Sequence, residues 1–84
     1  MHEVLLEGTA QRDLKRLSPG EFARVIARIR ALADEPRPAG SRKIVGSERD
    51  WRIRIGDYRI VYEIDDKARM IRIMRARHRS EVYR

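Results

Sequence analysis

Three arginines alternate with apolar residues in two consecutive segments, and their type and spacing suit phosphate binding. Arg52 and Arg54 lie between apolar residues in segment 51–55, and Arg59 does so in segment 58–64. A guanidinium group binds phosphate oxygens through two parallel hydrogen bonds and keeps its proton at neutral pH. We therefore expect these side chains to hold a phosphate group and to stabilise negative charge, and not to act as bases.

The C-terminal segment 77–83 adds further candidates. Arg77 and Arg79 are expected to extend the basic surface just after the last predicted strand. Histidine is the residue type whose charge changes near neutral pH, so His78 is a candidate for proton transfer, although a surface histidine without function also fits this position. Tyr83 could donate a proton or stack on a nucleotide base, or it could simply pack on the edge of the domain.

The residue types that the chain lacks argue against several other chemistries. There is no cysteine and there are two histidines, so we expect no disulfide, no thiolate nucleophile, no metal site and no cofactor. Residues 1–7 carry charge on both sides of a short apolar run, which is unlike a signal peptide. No apolar stretch reaches the roughly 20 residues of a membrane span. We expect a cytoplasmic protein without a membrane partner.

The charge of the chain is large and unevenly distributed. The 84 residues carry a net charge of +7, and most of the basic residues are arginines. Residues 1–41 account for +1 and residues 42–84 for +6. This distribution favours a polyanionic partner such as nucleic acid or an acidic protein. The alternative is that the arginines serve general solubility.

The first half of the chain is predicted to supply a strand and two helices. Residues 2–7 form the strand, and Thr9 is predicted to cap a short helix that runs to Leu17, with Asp13 among the charged residues of its outer faces. Ser18 and Glu21 have the spacing of a capping box around Pro19. The second helix is expected to continue to residue 34, so the two helices form a hairpin.

The second half changes to the alternating pattern of β-strands. Strands are predicted over 51–55, 58–64 and 70–76, with a weaker one over 42–45. Gly56 and Asp57 form a tight hairpin turn, and Ser80 is predicted to cap a last helical turn. The predicted fold class is α+β in a single domain, residues 1–84. It has an N-terminal strand, a helical hairpin and an antiparallel meander of three or four strands.

Strand alternation determines which side chains share a face of this sheet. Trp51, Ile53 and Ile55 are expected to point into the core, and so are Tyr58, Ile60 and Tyr62 of the next strand. The arginines at 52, 54 and 59 then share the open face, with positions 54 and 59 close together across the hairpin. An open face normally carries charges, so solvated arginines are the alternative. Arg72 and Arg75 are expected to be solvated or paired with Glu63, Asp65 or Asp66.

The ordered combination of segments 51–64 and 77–83 resembles the RelE/ParE toxin superfamily. The strand pair reads WRIRIGDYRIVYEI and the C-terminal signature reads RHRSEVY. The predicted helix 10–17, the helix exit at 32–38 and the turn at 46–47 also fit the superfamily pattern. The resemblance covers nearly the whole chain and implies a RelE-like fold, similar to small microbial ribonucleases.

For a RelE-type member, the resemblance implies a metal-independent endoribonuclease that cleaves messenger RNA in the ribosomal decoding site. The 2′-hydroxyl attacks the adjacent phosphate. By position in the motifs, Arg59, Arg77, Tyr83 and His78 are the candidate catalytic residues. Arg52, Arg54 and Arg79 are the candidate phosphate-binding residues. The superfamily's best-known pattern has lysines on the first strand of the pair, and arginine in their place disfavours proton abstraction there.

The resemblance also implies partners and leaves two rival functions open. The expected partners are messenger RNA, the ribosome and a cognate RelB-like antitoxin that is acidic or becomes ordered on binding. ParE-type members of the superfamily instead poison DNA gyrase without cutting nucleic acid. A basic RNA-binding module without cleavage activity is the other rival. It would bind RNA with a steep salt dependence and cleave none.

Overall fold

The computed structural model describes residues 1–82, which form three helices and five strands. The elements are β1 Glu3–Leu6, α1 Gly8–Leu14, α2 Pro19–Ala31, β2 Arg42–Lys43, β3 Asp50–Ile55, β4 Tyr58–Asp65, β5 Met70–His78 and α3 Arg79–Val82. This order confirms the predicted α+β class. In the described part of the chain, no helix is long and apolar enough to cross a membrane.

The five strands form one mixed sheet in the order β1-β5-β4-β3-β2. Strands β2 to β5 form the predicted antiparallel meander. Strand β1 lies parallel to β5, from Glu3 opposite Met70 to Leu6 opposite Ile73. Parallel neighbours need a long connection, and here it consists of the helical hairpin and strands β2 to β4.

The core lies between the helices and one face of the sheet. Its helical side is formed by Ala10, Leu14, Val25, Ile29 and Leu32, and its sheet side by Ile53, Ile55, Tyr58, Ile60, Tyr62, Ile64, Ile71, Ile73 and Ala76. Trp51 is partly buried against this cluster. The predicted alternation of β3 and β4 is therefore confirmed, and their arginines are on the opposite, open face.

The N-terminus of α2 has the predicted capping box. The Ser18 hydroxyl accepts a hydrogen bond from the backbone N–H of Glu21, at 3.3 Å. The Glu21 carboxylate in turn accepts one from the backbone N–H of Ser18, at 3.2 Å. The bonds that this carboxylate accepts from the backbone N–H and the hydroxyl of Ser18 hold the pKa of Glu21 below its ordinary value. The helix ends at Ala31, three residues before the predicted end, and turns follow.

Helix α1 departs from the prediction in three respects. Its N-cap is Glu7 and not Thr9, and it ends at Leu14 and not at Leu17. The Thr9 hydroxyl donates instead to the Met74 carbonyl, at 2.7 Å. Asp13 was predicted on an outer face but is buried, because its carboxylate accepts a hydrogen bond from the backbone of β5.

These contacts show that α1 completes the edge of β5 beyond the end of β1. The Ile73 carbonyl accepts from the N–H of Glu7, just after β1 ends. Thr9 then bonds the Met74 carbonyl, and Asp13 bonds the Ala76 N–H at 2.9 Å. Helix side chains thus replace a strand partner, so the polar groups of this edge are satisfied.

The β3–β4 hairpin closes at Gly56 and Asp57 as predicted. Ile55 and Tyr58 are directly opposite, and Gly56 has a φ of 60°. Asp57 is not among the residues with positive φ, so the turn has the pattern of a type II′ turn with glycine first. This turn determines which side chains oppose each other along the hairpin.

Strand β5 runs to His78, two residues beyond its predicted end. Arg77 was expected to follow the strand but lies within it, opposite Arg59. A register irregularity occurs opposite the Val61–Tyr62 step of β4, which explains why alternation in β5 is weak. The strand ends where α3 begins at Arg79.

Candidate phosphate-binding site

A row of three arginines crosses three neighbouring strands on the open face of the sheet. Arg54 of β3 lies directly opposite Arg59 of β4, which lies directly opposite Arg77 of β5. The hairpin turn at Gly56 positions the first pair, as predicted. Like charges placed directly opposite each other weaken a sheet, so this row is costly unless an anion compensates it.

A cleft of about 250 Å³ lies beside this row, at the β2 edge of the sheet. It is lined by Gly40, Arg42, Arg52, Ile53, Arg54 and Arg59. Arg42 lies on β2 directly opposite Arg52. The predicted phosphate-binding arginines 52 and 54 and the predicted catalytic Arg59 therefore share one cleft, which an additional arginine from the edge strand closes.

The arginines of β5 differ from those of the cleft in their ion pairs. Arg72 pairs with Glu7 at 3.0 Å and with Glu63 at 3.3 Å. The Glu63 contact confirms one of the partners expected for it. Arg75 pairs with Asp13 at 2.8 Å, which corrects the expectation of solvent or of Glu63, Asp65 or Asp66. The sequence places Asp13 too far away along the chain for this pair to be foreseen.

Three of the cleft arginines lack such compensation among the described residues. Among residues 1–82, no carboxylate forms an ion pair with Arg42, Arg52 or Arg59. Charge also changes along the open face of β4, where Arg59 lies near the hairpin turn and Glu63 and Asp65 lie at the far end. The positive potential is therefore concentrated at the cleft.

Arg77 and Arg79 have weaker, local partners. The Arg77 Nε lies 3.7 Å from Oε2 of Glu81. This exceeds hydrogen-bond distance, and the same Nε is buried with no hydrogen-bond partner among residues 1–82. Arg79 is two-thirds exposed and lies 3.9 Å from Asp57. Arg77 thus extends the arginine row with unused hydrogen-bonding capacity, whereas Arg79 lies at the rim, beside the hairpin turn.

His78 lies on the opposite face of the sheet from the cleft. It is directly opposite the buried Tyr58, and the two rings meet edge to face at 5.3 Å. Its Nδ1 accepts a hydrogen bond from the backbone N–H of Ser80 at 3.1 Å and lies 2.9 Å from the Ser80 hydroxyl. His78 therefore caps α3 with its ring, which corrects the prediction that Ser80 is the cap.

The structure does not bring a proton-transfer group into the cleft among the residues it describes. The Tyr58 hydroxyl donates to Glu21 at 3.4 Å, and the Tyr62 hydroxyl donates to the Pro36 carbonyl at 2.9 Å. Burial raises the pKa of both phenols. Tyr83, the other candidate, lies outside the described residues. Residues 1–82 also contain no group of three or more acidic, histidine or cysteine side chains that could hold a metal ion.

Sequence reasoning missed two residues of this region. Arg42 was not singled out, although the weak strand at 42–45 could have been aligned with the arginines of the next strand; the irregular segment between them hides the register. Asp13 had a clearer signal, since it follows Ala10 by three residues and precedes Leu17 by four. A carboxylate on an apolar helical stripe indicates a buried partner.

Comparison with known proteins finds similarity along almost the whole chain. Residues 4–83 match the family described as ParE toxin of type II toxin–antitoxin system, parDE. Toxin RelG of Mycobacterium tuberculosis (strain ATCC 25618 / H37Rv) is 36% identical over 87 residues, which span 99% of this chain and 97% of that toxin. The predicted resemblance to the superfamily is therefore confirmed.

Solved structures agree with this result. The archaeal RelE–RelB complex from Pyrococcus horikoshii OT3 matches with a TM-score of 0.83 and 25% identity, over 93% of this chain and 94% of the other. The toxin–antitoxin complex RelBE2 from Mycobacterium tuberculosis matches with a TM-score of 0.81 and 30% identity, over 92% and 96%. The predicted RelE-like fold is confirmed.

Proposed function

The chain belongs to the ParE toxin family of type II toxin–antitoxin systems, within the RelE/ParE superfamily, and from this premise we propose that it is a RelE-type endoribonuclease. Its substrate is messenger RNA in the decoding site of the translating ribosome. The whole chain, residues 1–84, acts as one domain in the cytoplasm, without a metal ion or another cofactor.

The proposed reaction is an internal transfer at one phosphate of the RNA backbone. The 2′-oxygen forms a bond to the adjacent phosphorus while the bond from phosphorus to the 5′-oxygen breaks. The 2′-hydroxyl loses its proton and the departing 5′-oxygen gains one. The products are a cyclic phosphate and a free 5′-hydroxyl. Negative charge spreads over the phosphate oxygens in the transition state, and fixed cations stabilise that charge.

The observation that carries the proposal is the charge that two arginines bring to the cleft. Arg52 and Arg59 share it and have no carboxylate partner among residues 1–82. Guanidinium groups without protein partners are free to bind phosphate oxygens in pairs. In this proposal Arg59 and Arg77 stabilise the reacting phosphate and Arg54 orients it. Arg52 binds the RNA backbone beside it, and Arg79 contacts RNA at the rim.

Proton transfer needs a group that the cleft does not contain among the described residues. Tyr83 remains the candidate from this chain, and its role stays a prediction. His78 is not assigned to the reaction, because it faces the other side of the sheet and caps α3. The ribosome or the RNA itself can supply the remaining proton acceptor.

The proposed protein partner is an antitoxin. The similar structures from Pyrococcus horikoshii and Mycobacterium tuberculosis are both toxin–antitoxin complexes. A chain with a net charge of +7 suits a RelB-like partner that is acidic or becomes ordered when it binds.

The test is expression of the chain alone in bacteria with mapping of messenger RNA 5′ ends. New ends inside translated regions are expected, and Arg59→Ala should reduce their yield by about 10²–10³-fold. Arg28→Ala is the matched control, since Arg28 is exposed on α2 and loses the same charge. Equal cleavage by the Arg59→Ala variant would overturn the assignment of the site.

One rival function has a specific observation in its favour, since the matched family is described as a ParE toxin. ParE-type toxins poison DNA gyrase. The same experiment separates the two functions, because gyrase poisoning arrests growth with a DNA-damage response and leaves messenger RNA intact. Growth without arrest at high protein levels would instead indicate a basic RNA-binding protein without activity.

A further inference from the structure

Arg42 brings a fourth arginine to the cleft from an element that contributes little else to the fold. It lies on β2, a strand of two residues at the edge of the sheet, and is exposed. Its neighbour Lys43 lies opposite Trp51 and therefore on the other side of the strand. One of two adjacent basic residues thus lines the cleft, and the other does not.

The cleft arginines fall into two rows across the sheet. Arg42 and Arg52 form one row, and Arg54 and Arg59 form the other, which Arg77 continues. Two residues separate the rows along β3, which corresponds to about 7 Å. Neighbouring phosphates of an extended single strand are separated by a similar distance. The rows could therefore contact two successive phosphates.

The first row is electrostatically unfavourable within the protein itself. Arg42 and Arg52 are like charges directly opposite each other, a pairing that weakens a sheet. Neither has a carboxylate partner among residues 1–82. The backbone at Gly40, with a φ of 93°, leaves the mouth of the cleft beside Arg42 without a side chain.

We propose that Arg42 and Arg52 form a second phosphate subsite, which binds the RNA phosphate next to the one held by Arg59. This inference rests on the proposed function and extends it. The second phosphate does not react, so it is bound equally in the ground state and the transition state. Such binding lowers KM and leaves kcat unchanged. The smallest good substrate then contains the reacting phosphate and one neighbouring phosphate.

The test is binding of the purified full chain to a short single-stranded RNA in which 2′-deoxy sugars prevent cleavage. Each backbone phosphate is replaced in turn by an uncharged methylphosphonate, and Kd is measured by fluorescence anisotropy. We expect Arg42→Ala to weaken binding by about tenfold, as for loss of one charge-assisted contact. Lys43→Ala should have a smaller effect, and Arg42→Lys should retain most of the affinity.

The decisive result is the methylphosphonate position at which each substitution no longer changes Kd. If Arg42 contacts one phosphate, Arg42→Ala causes no further loss when that phosphate is uncharged. Arg59→Ala should lose its effect at the adjacent position. The second subsite would be overturned if both variants lost their effect on Kd at the same phosphate, or if neither lost its effect at any phosphate. It would also be overturned if the unchanged chain did not bind the RNA. The two proposals can also fail separately. If the variants lose their effects at two adjacent phosphates but the chain does not cleave messenger RNA in cells, the nuclease proposal is wrong and the second subsite stands.

Discussion

At the scale of single residues, Asp13 joins helix α1 to strand β5. Its side chain is 7% exposed and bonds Arg75 at 2.8 and 3.2 Å, as well as the Ala76 N–H. Burial alone would raise the pKa of this carboxyl, but these hydrogen bonds and the charge of Arg75 outweigh burial and lower it. The ionised form is therefore the one that stabilises the fold.

Replacing Asp13 should destabilise the protein in proportion to the bonds removed. Asp13→Ala leaves the Ala76 N–H and Arg75 without partners, and we expect a loss of about 2–3 kcal/mol in the free energy of unfolding. Asp13→Asn keeps an acceptor for Ala76 and should cost about half as much. Urea unfolding measures both variants, and equal losses would mean that the acceptor contributes nothing.

The same carboxyl makes stability depend on acid. Because the pKa of Asp13 is lower in the folded state than in the unfolded state, its stabilising contribution is fully present at pH values above the ordinary pKa of aspartate. This contribution is lost as the pH falls through the pKa that Asp13 has in the folded state. The difference in the free energy of unfolding between the unchanged protein and Asp13→Asn should therefore be constant near neutral pH and shrink below about pH 4. A constant difference down to pH 2 would contradict this account.

The sequence predicted the positions of the cleft arginines well and the position of His78 poorly. Alternation in β3 and β4 places Arg52, Arg54 and Arg59 on one face from local pattern alone. His78 could not be placed this way, because the irregularity in β5 shifts its alternation and puts the ring beside Tyr58. Its hydrogen bond to Ser80 is then a matter of local geometry at the start of α3.

At the scale of elements, the hairpin turn determines the geometry of the arginine row. Gly56 has a φ of 60°, a conformation that side chains other than glycine rarely adopt, and the Arg24 guanidinium lies where a Cβ would project. We expect Gly56→Ala to cost about 1–2 kcal/mol in the free energy of unfolding. It should also weaken RNA binding if Arg54 and Arg59 lose their register.

A glycine in ordinary helical conformation gives the matched control. Gly20 lies in the first turn of α2, with no neighbouring atom within 4 Å of an added Cβ. Gly20→Ala should stabilise the protein by about 0.5–1 kcal/mol and leave RNA binding unchanged. Thermal unfolding of Gly56→Ala and Gly20→Ala compares the two changes in stability. A similar change in both variants would contradict the argument that Gly56 relieves backbone strain.

Most elements could be predicted because their signals are local. The capping box at Ser18 and the alternation of β3 and β4 depend on neighbours within a few residues. The parallel pairing of β1 with β5 joins residues more than 60 positions apart, for which periodicity carries no information. The roles of Thr9 and Asp13 were missed for the same reason, since both bond the distant edge of β5.

At the scale of the whole molecule, the distribution of charge matters more than its sum. The net charge is +7, but part of it is paired with carboxylates, at Arg49 before β3 and at Arg72 and Arg75 of β5. The helical surface carries exposed arginines at 28 and 30, and the open face carries those of the cleft. Both surfaces attract polyanions at long range. Among the described residues, the cleft is where several guanidinium groups surround one position.

This difference predicts how RNA binding responds to salt. Each phosphate contact with single-stranded nucleic acid contributes about −0.7 to the slope of log K against log salt. Removing Arg52 and Arg59 together should therefore flatten the slope by about 1.4 and weaken binding strongly. Removing Arg28 and Arg30 together gives the same net charge, but it should change the slope little. Titrations of a non-cleavable RNA between 50 and about 300 mM salt compare the two double variants. Equal flattening in both would mean that RNA responds to net charge alone, and the cleft would then have no privileged role in recognition.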